Sequence, residues 1–162
     1  MAPDVLLPIF VAVPLAASAL AVILPGRMLR DVLHIAVPFA GIFAGMWLFA
    51  HTAEHGTIAH SVGLYVGGVA IPFAADSFSA IMIITTSIVA VAANWFATTV
   101  GETRARFYPA LSLMLITGVN GALLTADLFN FFVFIEVMLL PSYGLMAMTG
   151  TWSRLAAGRI FV

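Results

Sequence analysis

Cysteine and lysine are both missing from this sequence. There is no cysteine, so disulfides, iron–sulfur ligation by thiolates and thiol catalysis are excluded within this chain. Lysine is missing too, because all six basic residues are arginines. No Gly-rich phosphate loop and no redox-cofactor motif occurs, so we expect no cofactor. The arginines are dispersed and the net charge is −1, so nothing indicates nucleic-acid binding.

Charge of either sign is scarce, whereas apolar residues are abundant. Hydrophobic residues make up 63% of the chain, charged residues make up 8%, and the mean hydropathy is +1.14. In a soluble domain, about a quarter of all residues are charged. The composition therefore predicts an all-α integral membrane protein. The first residues, MAPDVLL, lack the positive region of a cleaved signal peptide, so we expect the first apolar segment to be retained.

Five apolar runs have about the 20 residues that a membrane-spanning helix requires. They are residues 5–24, 32–50, 77–100, 107–126 and 128–148. Together they predict a single membrane domain over residues 1–162, in which residues 155–162 begin a truncated sixth segment. Residues 51–75 are too rich in glycine to span. They predict an extracytoplasmic loop between the second and third helices, with strand-like pieces near residues 61–66.

Two polar features outside the fifth run have a structural interpretation. His51, Glu54 and His55 match the H-x-x-E-H spelling of one class of zinc peptidases. That class needs a long soluble domain around the motif, and the sequence contains none, so we interpret these residues as loop and expect no metal site. Asn94, on the third run, is expected to hydrogen-bond to another helix.

The positions of the arginines predict the orientation of the chain. All six lie in the segments that follow the first, third and fifth runs: Arg27, Arg30, Arg104, Arg106, Arg154 and Arg159. If the five runs span the membrane, those segments share one side of it. Since basic residues are enriched in cytoplasmic loops, we expect the N-terminus outside and the C-terminus in the cytoplasm.

One carboxylate, Glu136, lies near the middle of the fifth run. It is roughly 13 Å from Asp127 at the helical rise of 1.5 Å per residue, close to the centre of a hydrocarbon core about 30 Å thick. An ionised acid there costs at least ~2.5–3.5 kcal/mol and needs a partner, water or a proton. No arginine lies within any of the five runs. Glu136 is therefore a candidate proton carrier, and the alternative is a permanently protonated packing residue.

Four further side chains are candidates to support this carboxylate. Tyr143 shares the helix face of Glu136 at position i+7. Pro141 bends the fifth helix just past Glu136 and leaves one backbone carbonyl without its helical donor. On the fourth run, Thr117 and Asn120 share a face at i and i+3. These two residues either hold a water wire beside the fifth run or join helices.

A family resemblance rests on residues 118–145, which read GVNGALLTADLFNFFVFIEVMLLPSYGL. They resemble the fourth and fifth helices of the proton-translocating antiporter-like subunits. That family includes the D and A subunits of Mrp-type multisubunit Na+/H+ antiporters and the large membrane-arm subunits of respiratory complex I. The pattern DLFN-x-x-V-F-x-E-V is most similar to the N-terminal part of the D subunit. Residues 75–80 and 107–109 add to the resemblance, which covers essentially the whole chain as the family's first five helices.

The resemblance implies a secondary transporter subunit and not an enzyme. It implies that Glu136 is the family's fifth-helix glutamate, which pairs with a lysine on a later helix and passes protons along a polar axis. Because this chain has no lysine, another chain or segment must supply those helices. The implied setting is a multisubunit antiporter of the bacterial cytoplasmic membrane, with H+ and Na+ as transported ions and with lipid and other antiporter subunits as neighbours.

Two alternatives stay open at the level of the sequence. One is an antiporter-like proton-pumping subunit of complex I or of a membrane-bound hydrogenase, which has the same fold but is driven by a redox arm. The other is a structural assembly subunit in which Glu136 is inert. The residues themselves do not distinguish these alternatives, and they do not identify the exchanged cation.

Overall fold

The computed structural model describes residues 3–63 and 70–148, which form five α-helices and one β-hairpin. The helices are α1 (Ile9–Ile23), α2 (Arg27–His55), α3 (Ser77–Val100), α4 (Tyr108–Leu124) and α5 (Leu128–Ala147). By length and composition, α2, α3 and α5 can cross a membrane, and α1 and α4 are shorter apolar helices. The predicted class, a helical membrane protein, is confirmed.

The second helix is longer than the sequence indicates. It begins at Arg27 and ends at His55, whereas we expected a helix only over residues 32–50. Arg27 and Arg30 thus lie inside the first turns of α2, so the expectation that no basic residue falls within a helix is wrong. At the other end, the H-x-x-E-H segment forms the last turns of the helix and is not loop. Gly56 then ends the helix with a φ of 80°.

A β-hairpin follows α2 and covers one end of the bundle. Strands β1 (Ile58–Val62) and β2 (Ile71–Ala75) pair antiparallel. Ile58 and Phe73 are buried in a cluster of apolar side chains that also contains Leu7, Phe10, Leu48, Ala75, Ala80, Ile83 and Leu124. The strand-like pieces predicted at residues 61–66 overlap the end of β1, and residues 64–66 lie outside the described residues. The predicted sixth segment, with Arg154 and Arg159, lies outside them as well.

Helix α4 is the centre of the bundle, because it packs against α1, α2, α3 and α5. Two of its glycines let α5 come close. A Cβ at Gly118 would lie 2.8 Å from the backbone nitrogen of Met138, and a Cβ at Gly121 would overlap the ring of Phe134. Small residues at a helix contact are usual in membranes, where backbone approach and van der Waals packing hold helices together.

One end of the bundle is held by arginines. Arg27 pairs with Asp31 at 3.3 Å and donates to the hydroxyl of Thr103 at 3.2 Å. Arg30 donates to the carbonyl of Arg106 at 3.2 Å. We call this end, defined by Arg27, Arg30 and Arg106, the arginine end. It brings the segment after α1 together with the segment between α3 and α4.

Acidic side chains begin two helices at the opposite end. Asp76 accepts a hydrogen bond from the backbone N–H of Ser79 at 2.7 Å, and Asp127 accepts one from that of Asn130 at 3.1 Å. Each bond satisfies an N–H that has no partner within its helix, and each negative charge suits the positive end of the helix dipole. The bond from Ser79 holds the pKa of Asp76 below its ordinary value.

We predict that Gly118→Ala weakens the contact between α4 and α5. The added methyl group would meet the backbone of Met138, which cannot move aside as a flexible side chain can. The thermal midpoint of the assembled protein should fall, with a cost of about 1–3 kcal/mol in unfolding free energy. Gly26→Ala is the matched control, since the nearest atom to its added Cβ would be 3.9 Å away. Equal midpoints for the two variants would contradict the close approach.

A second prediction concerns the start of α3. Asp76→Ala should lower the thermal midpoint at neutral pH, because it removes the hydrogen-bond acceptor for Ser79. The lowered pKa of Asp76 fixes the pH dependence. Its contribution is complete above the unfolded-state pKa of about 3.9 and is lost as the pH falls through the folded-state pKa. Melting curves of wild type and variant should therefore converge in acid, and a constant difference would contradict this assignment.

Candidate functional site

Glu136 lies on a side of α5 that faces away from the rest of the bundle. The helix packs on α4 through Phe134 and Met138. The side chain of Glu136 is exposed. Those of Phe132 and Leu140, about one turn before and after it, are 61% and 64% exposed. We call the exposed stripe formed by Phe132, Glu136 and Leu140 the glutamate face.

The glutamate face carries an acid that nothing in the described part of the chain neutralises. Within residues 3–63 and 70–148, no hydrogen bond or ion pair reaches Glu136. Arg27 and Arg30 bond to other groups, at the arginine end. The same residues contain no group of three His, Asp or Glu side chains that could hold a metal ion. The site is therefore one that a proton, a cation or another polypeptide would complete.

Pro141 and Tyr143 lie on the same helix as this carboxylate. Pro141 is buried inside α5, which continues past it to Ala147. Tyr143 is half-buried about one helical turn further along than Leu140. Both residues are thus within the last two turns of α5, beyond Glu136.

The side chains of Thr117 and Asn120 form their hydrogen bonds with groups other than Glu136. The hydroxyl of Thr117 donates to the carbonyl of Leu113 in its own helix at 2.9 Å. The side-chain amide of Asn120 donates to the carbonyl of Phe10, in α1, at 3.0 Å. Asn120 therefore joins α4 to α1, on a side of α4 other than the one on which Gly118 and Gly121 meet α5.

The bond from Asn120 to α1 has a physical cause that the sequence contains. Pro14 has no N–H, so it cannot donate to the carbonyl of Phe10 four residues earlier. That carbonyl is the one that the Asn120 amide reaches. A backbone group without a partner costs several kcal/mol in hydrocarbon, where no water can replace the missing bond. Asn120 thus supplies the donor that the proline removes.

A second asparagine does the same for α2. Pro38 leaves the carbonyl of His34 without its helical donor, and the amide of Asn94, in α3, donates to that carbonyl at 2.7 Å. The amide oxygen of Asn94 accepts in turn from the hydroxyl of Ser112, in α4, at 2.7 Å. Asn94 therefore joins three helices, which agrees with the interhelical bond expected for it.

Sequence reasoning missed the link between each asparagine and its proline. The sequence does identify the carbonyl in each pair, because a proline inside a helix leaves the carbonyl four residues before it without a helical donor. The donor was not identifiable, because Asn120 is 110 positions from Phe10, and Asn94 is 60 positions from His34. Only the packing of the helices shows which amide reaches which carbonyl.

Curated proteins with related sequences are antiporter subunits. The chain is 34% identical over 149 residues to the D subunit of a Na(+)/H(+) antiporter of Bacillus subtilis, covering 91% of this chain and 30% of that protein. It is 39% identical over 113 residues to the protein of the same name from Alkalihalophilus pseudofirmus, covering 68% and 23%. The D subunit of a probable K(+)/H(+) antiporter of Rhizobium meliloti is 32% identical over 168 residues, covering 98% and 31%. No protein-family profile matches the chain.

Solved structures contain the same fold. A chain of the Mrp complex from Dietzia sp. matches with a TM-score of 0.93 and 42% identity, covering 99% of this chain and 31% of that one. A chain of an archaeal respiratory membrane complex, the membrane-bound sulfane sulfur reductase, matches with a TM-score of 0.84 and 25% identity, covering 98% and 33%.

The helical bundle defines a polytopic membrane protein, in which the glutamate face exposes one carboxylate near the middle of an apolar helix. Within that class, the chain belongs to the family of D subunits of Mrp-type Na+/H+ antiporters and matches the N-terminal part of such a protein. It spans about a third of the length of the relatives that it matches. The resemblance seen in residues 118–145 is thereby confirmed. The relatives are secondary transporter subunits and not enzymes.

We predict that the cost of losing Asn94 depends on Pro38. Asn94→Ala leaves the His34 carbonyl buried without a donor, which should cost about 1–3 kcal/mol of stability. In a Pro38→Ala background the helix regains an N–H for that carbonyl, so the same substitution should cost less. Thermal midpoints of the four proteins in this double-mutant cycle measure the difference.

The control for this cycle is Thr99→Ala, on the same helix. Thr99 is exposed, and its hydroxyl bonds only to the carbonyl of Phe96 in α3. Its cost should be small and should not change with Pro38. If Asn94→Ala costs as much with Pro38 as with Ala at that position, the proposed capping role is wrong.

Proposed function

We propose that this chain is part of the D subunit of a multisubunit monovalent cation/proton antiporter and that Glu136 carries the transported proton. The observation that supports this most strongly is the glutamate face. A single acid lies near the middle of an apolar helix and faces away from its own bundle, in a chain whose relatives are antiporter D subunits. Intramembrane acids of this kind mark ion or proton pathways far more often than they serve packing.

Glu136 would act by alternating between its neutral and its ionised form. The neutral acid is tolerated beside hydrocarbon, whereas the carboxylate costs at least ~2.5–3.5 kcal/mol unless a positive charge is near. We propose that a later segment or another protein of the antiporter complex covers the glutamate face and supplies that charge, as a lysine. Phe132 and Leu140 would then seal the contact around the carboxylate and keep lipid and water out of it.

The remaining predicted residues divide between two roles. Pro141 and Tyr143 stay candidates for support of the proton path, because they lie on the helix of Glu136 just beyond it. Thr117 and Asn120 are better explained as structural, because their bonds join α4 to itself and to α1. A wire of water from these two residues to Glu136 has no contact to support it.

The proposed location is the cytoplasmic membrane of a bacterium, since the antiporter relatives are bacterial. We further propose that the arginine end faces the cytoplasm, because basic residues concentrate on that side of membranes. The N-terminus would then lie outside. The capping acids Asp76 and Asp127 would lie at the outer surface, together with the β-hairpin.

A second candidate is a redox-driven proton-pumping subunit. The observation in its favour is the match to a chain of the archaeal respiratory membrane complex. The match to the Mrp complex is better in both respects, with a TM-score of 0.93 against 0.84 and an identity of 42% against 25%. The antiporter is therefore the function that the observations favour.

We predict that Glu136→Gln abolishes exchange while the complex still assembles. Glutamine keeps the shape of the side chain and some of its hydrogen bonding, but it cannot carry a proton. The measurement is Na+-induced collapse of a preformed pH gradient in everted vesicles that contain the intact complex. The response of the variant should fall to the level of vesicles without the complex, at equal complex abundance. K+ is tested in parallel, because one relative belongs to a probable K(+)/H(+) antiporter.

Glu54→Gln is the matched control, because Glu54 is an exposed acid near the end of α2 and lies outside the glutamate face. This variant should exchange as the wild type does. If Glu136→Gln also exchanges normally, Glu136 is not the proton carrier. If the wild type responds to neither Na+ nor K+, the antiporter assignment is wrong and the redox-driven candidate moves ahead.

A further inference from the structure

The two asparagines that cap proline-freed carbonyls differ in one respect. Asn94 uses both halves of its amide, because its oxygen accepts from the hydroxyl of Ser112. Asn120 uses only its nitrogen, because its oxygen, Oδ1, is buried and has no hydrogen-bond partner among the described residues. The side chain of Asn120 is 5% exposed, so bulk water does not reach it freely.

Asn120 lines a cavity of about 230 Å³. It lies between α1 and α2, and Asn120 contributes to its lining together with the buried Ser87 of α3. Pro14 and Pro38, which lie inside α1 and α2, also line it. The rest of the lining is apolar, and no residue of α5 takes part in it.

We infer that this cavity is a water site, in which a bound water donates a hydrogen bond to Oδ1 of Asn120. The volume holds several waters, since the share of one water in the liquid is about 30 Å³. Waters there have two polar protein side chains to bond, those of Asn120 and Ser87, and they bond to one another. Buried waters typically satisfy polar groups that protein atoms leave unpaired.

The alternative occupant is a lipid acyl chain, because exposed residues such as Val13 line part of the cavity. A hydrocarbon chain has no hydrogen-bond donor. It would leave Oδ1 of Asn120 buried and unpaired in a medium where the loss is not compensated. Water is therefore the occupant that fits the chemistry of the lining. The site is distinct from the glutamate face, which belongs to α5.

The inference is tested by hydroxyl-radical footprinting of the intact complex in lipid nanodiscs, with radicals generated from water by an X-ray pulse. Bound water produces radicals beside it, so side chains next to such water are oxidised even when they are buried. Phe10 lines the cavity and is 9% exposed, whereas Phe73 is 5% exposed and does not line it. These two phenylalanines form a matched pair within one chain. We expect Phe10 to be oxidised several-fold faster than Phe73.

A cavity-filling variant separates bound water from access by bulk water. Ala44 lines the cavity, and Ala44→Val would occupy part of its volume. Oxidation of Phe10 should then fall toward the rate of Phe73, while Phe73 is unaffected. Ala50→Val, on an exposed position of α2 outside the cavity, should leave both rates unchanged.

Three results would overturn the inference. Phe10 could be oxidised no faster than Phe73, or its rate could be insensitive to Ala44→Val. A cryo-EM map of the same complex could show continuous acyl-chain density in the cavity. None of these readouts depends on transport, so they separate the water site from the role proposed for Glu136.

Discussion

A backbone carbonyl that has lost its helical donor is costly in hydrocarbon, and the structure shows how this bundle avoids that cost at Pro14 and at Pro38. The solution is the same in both places, because an asparagine on a neighbouring helix supplies the donor. Each bond also fixes which helices are neighbours and at what height they meet. Asn94 sets α3 against α2, and Asn120 sets α4 against α1. The kinks and the helix order are thus parts of one arrangement.

The central helix α4 makes this arrangement possible because different sides of it pack against different helices. Toward α5 it presents glycine, so that the backbones come close and few polar groups are needed. Toward α3 and α1 it presents polar side chains at separate heights: Ser112 bonds to the asparagine of α3, and Asn120 bonds to the carbonyl of α1 that Pro14 leaves without a donor. Helix α4, which has no exposed residue, makes both kinds of contact because its sequence distributes small and polar residues around its circumference.

Much of the fold could be predicted because it depends on residues that are close together in the sequence. Long apolar runs predict the helices. The position of Glu136 in the middle of the fifth run makes it a candidate site residue without any knowledge of packing. The start of α2 at Arg27 was missed, because hydropathy marks where a helix enters hydrocarbon and says little about turns beyond it. For Asn120 the sequence indicates helix joining as one of two roles, but its partner in α1 is 110 positions away and can be found only from the packing. Features that depend on neighbouring residues, such as apolar helices, could be predicted, whereas hydrogen bonds between distant helices could not.

The buried side chains Asn94, Ser112 and Asn120 and the exposed side chain of Glu136 are in opposite situations. Asn94, Asn120 and Ser112 are turned inward and bonded to other helices, which holds the body of the bundle together. Glu136 is turned outward and has no described neighbour of opposite charge. A partner that brings a positive charge to the glutamate face would bind the ionised form better than the neutral form. By reciprocity, its presence would favour ionisation by the same free energy. The contact with the partner and the charge of the carboxylate are therefore coupled, which is the property that a proton-carrying group at an interface requires.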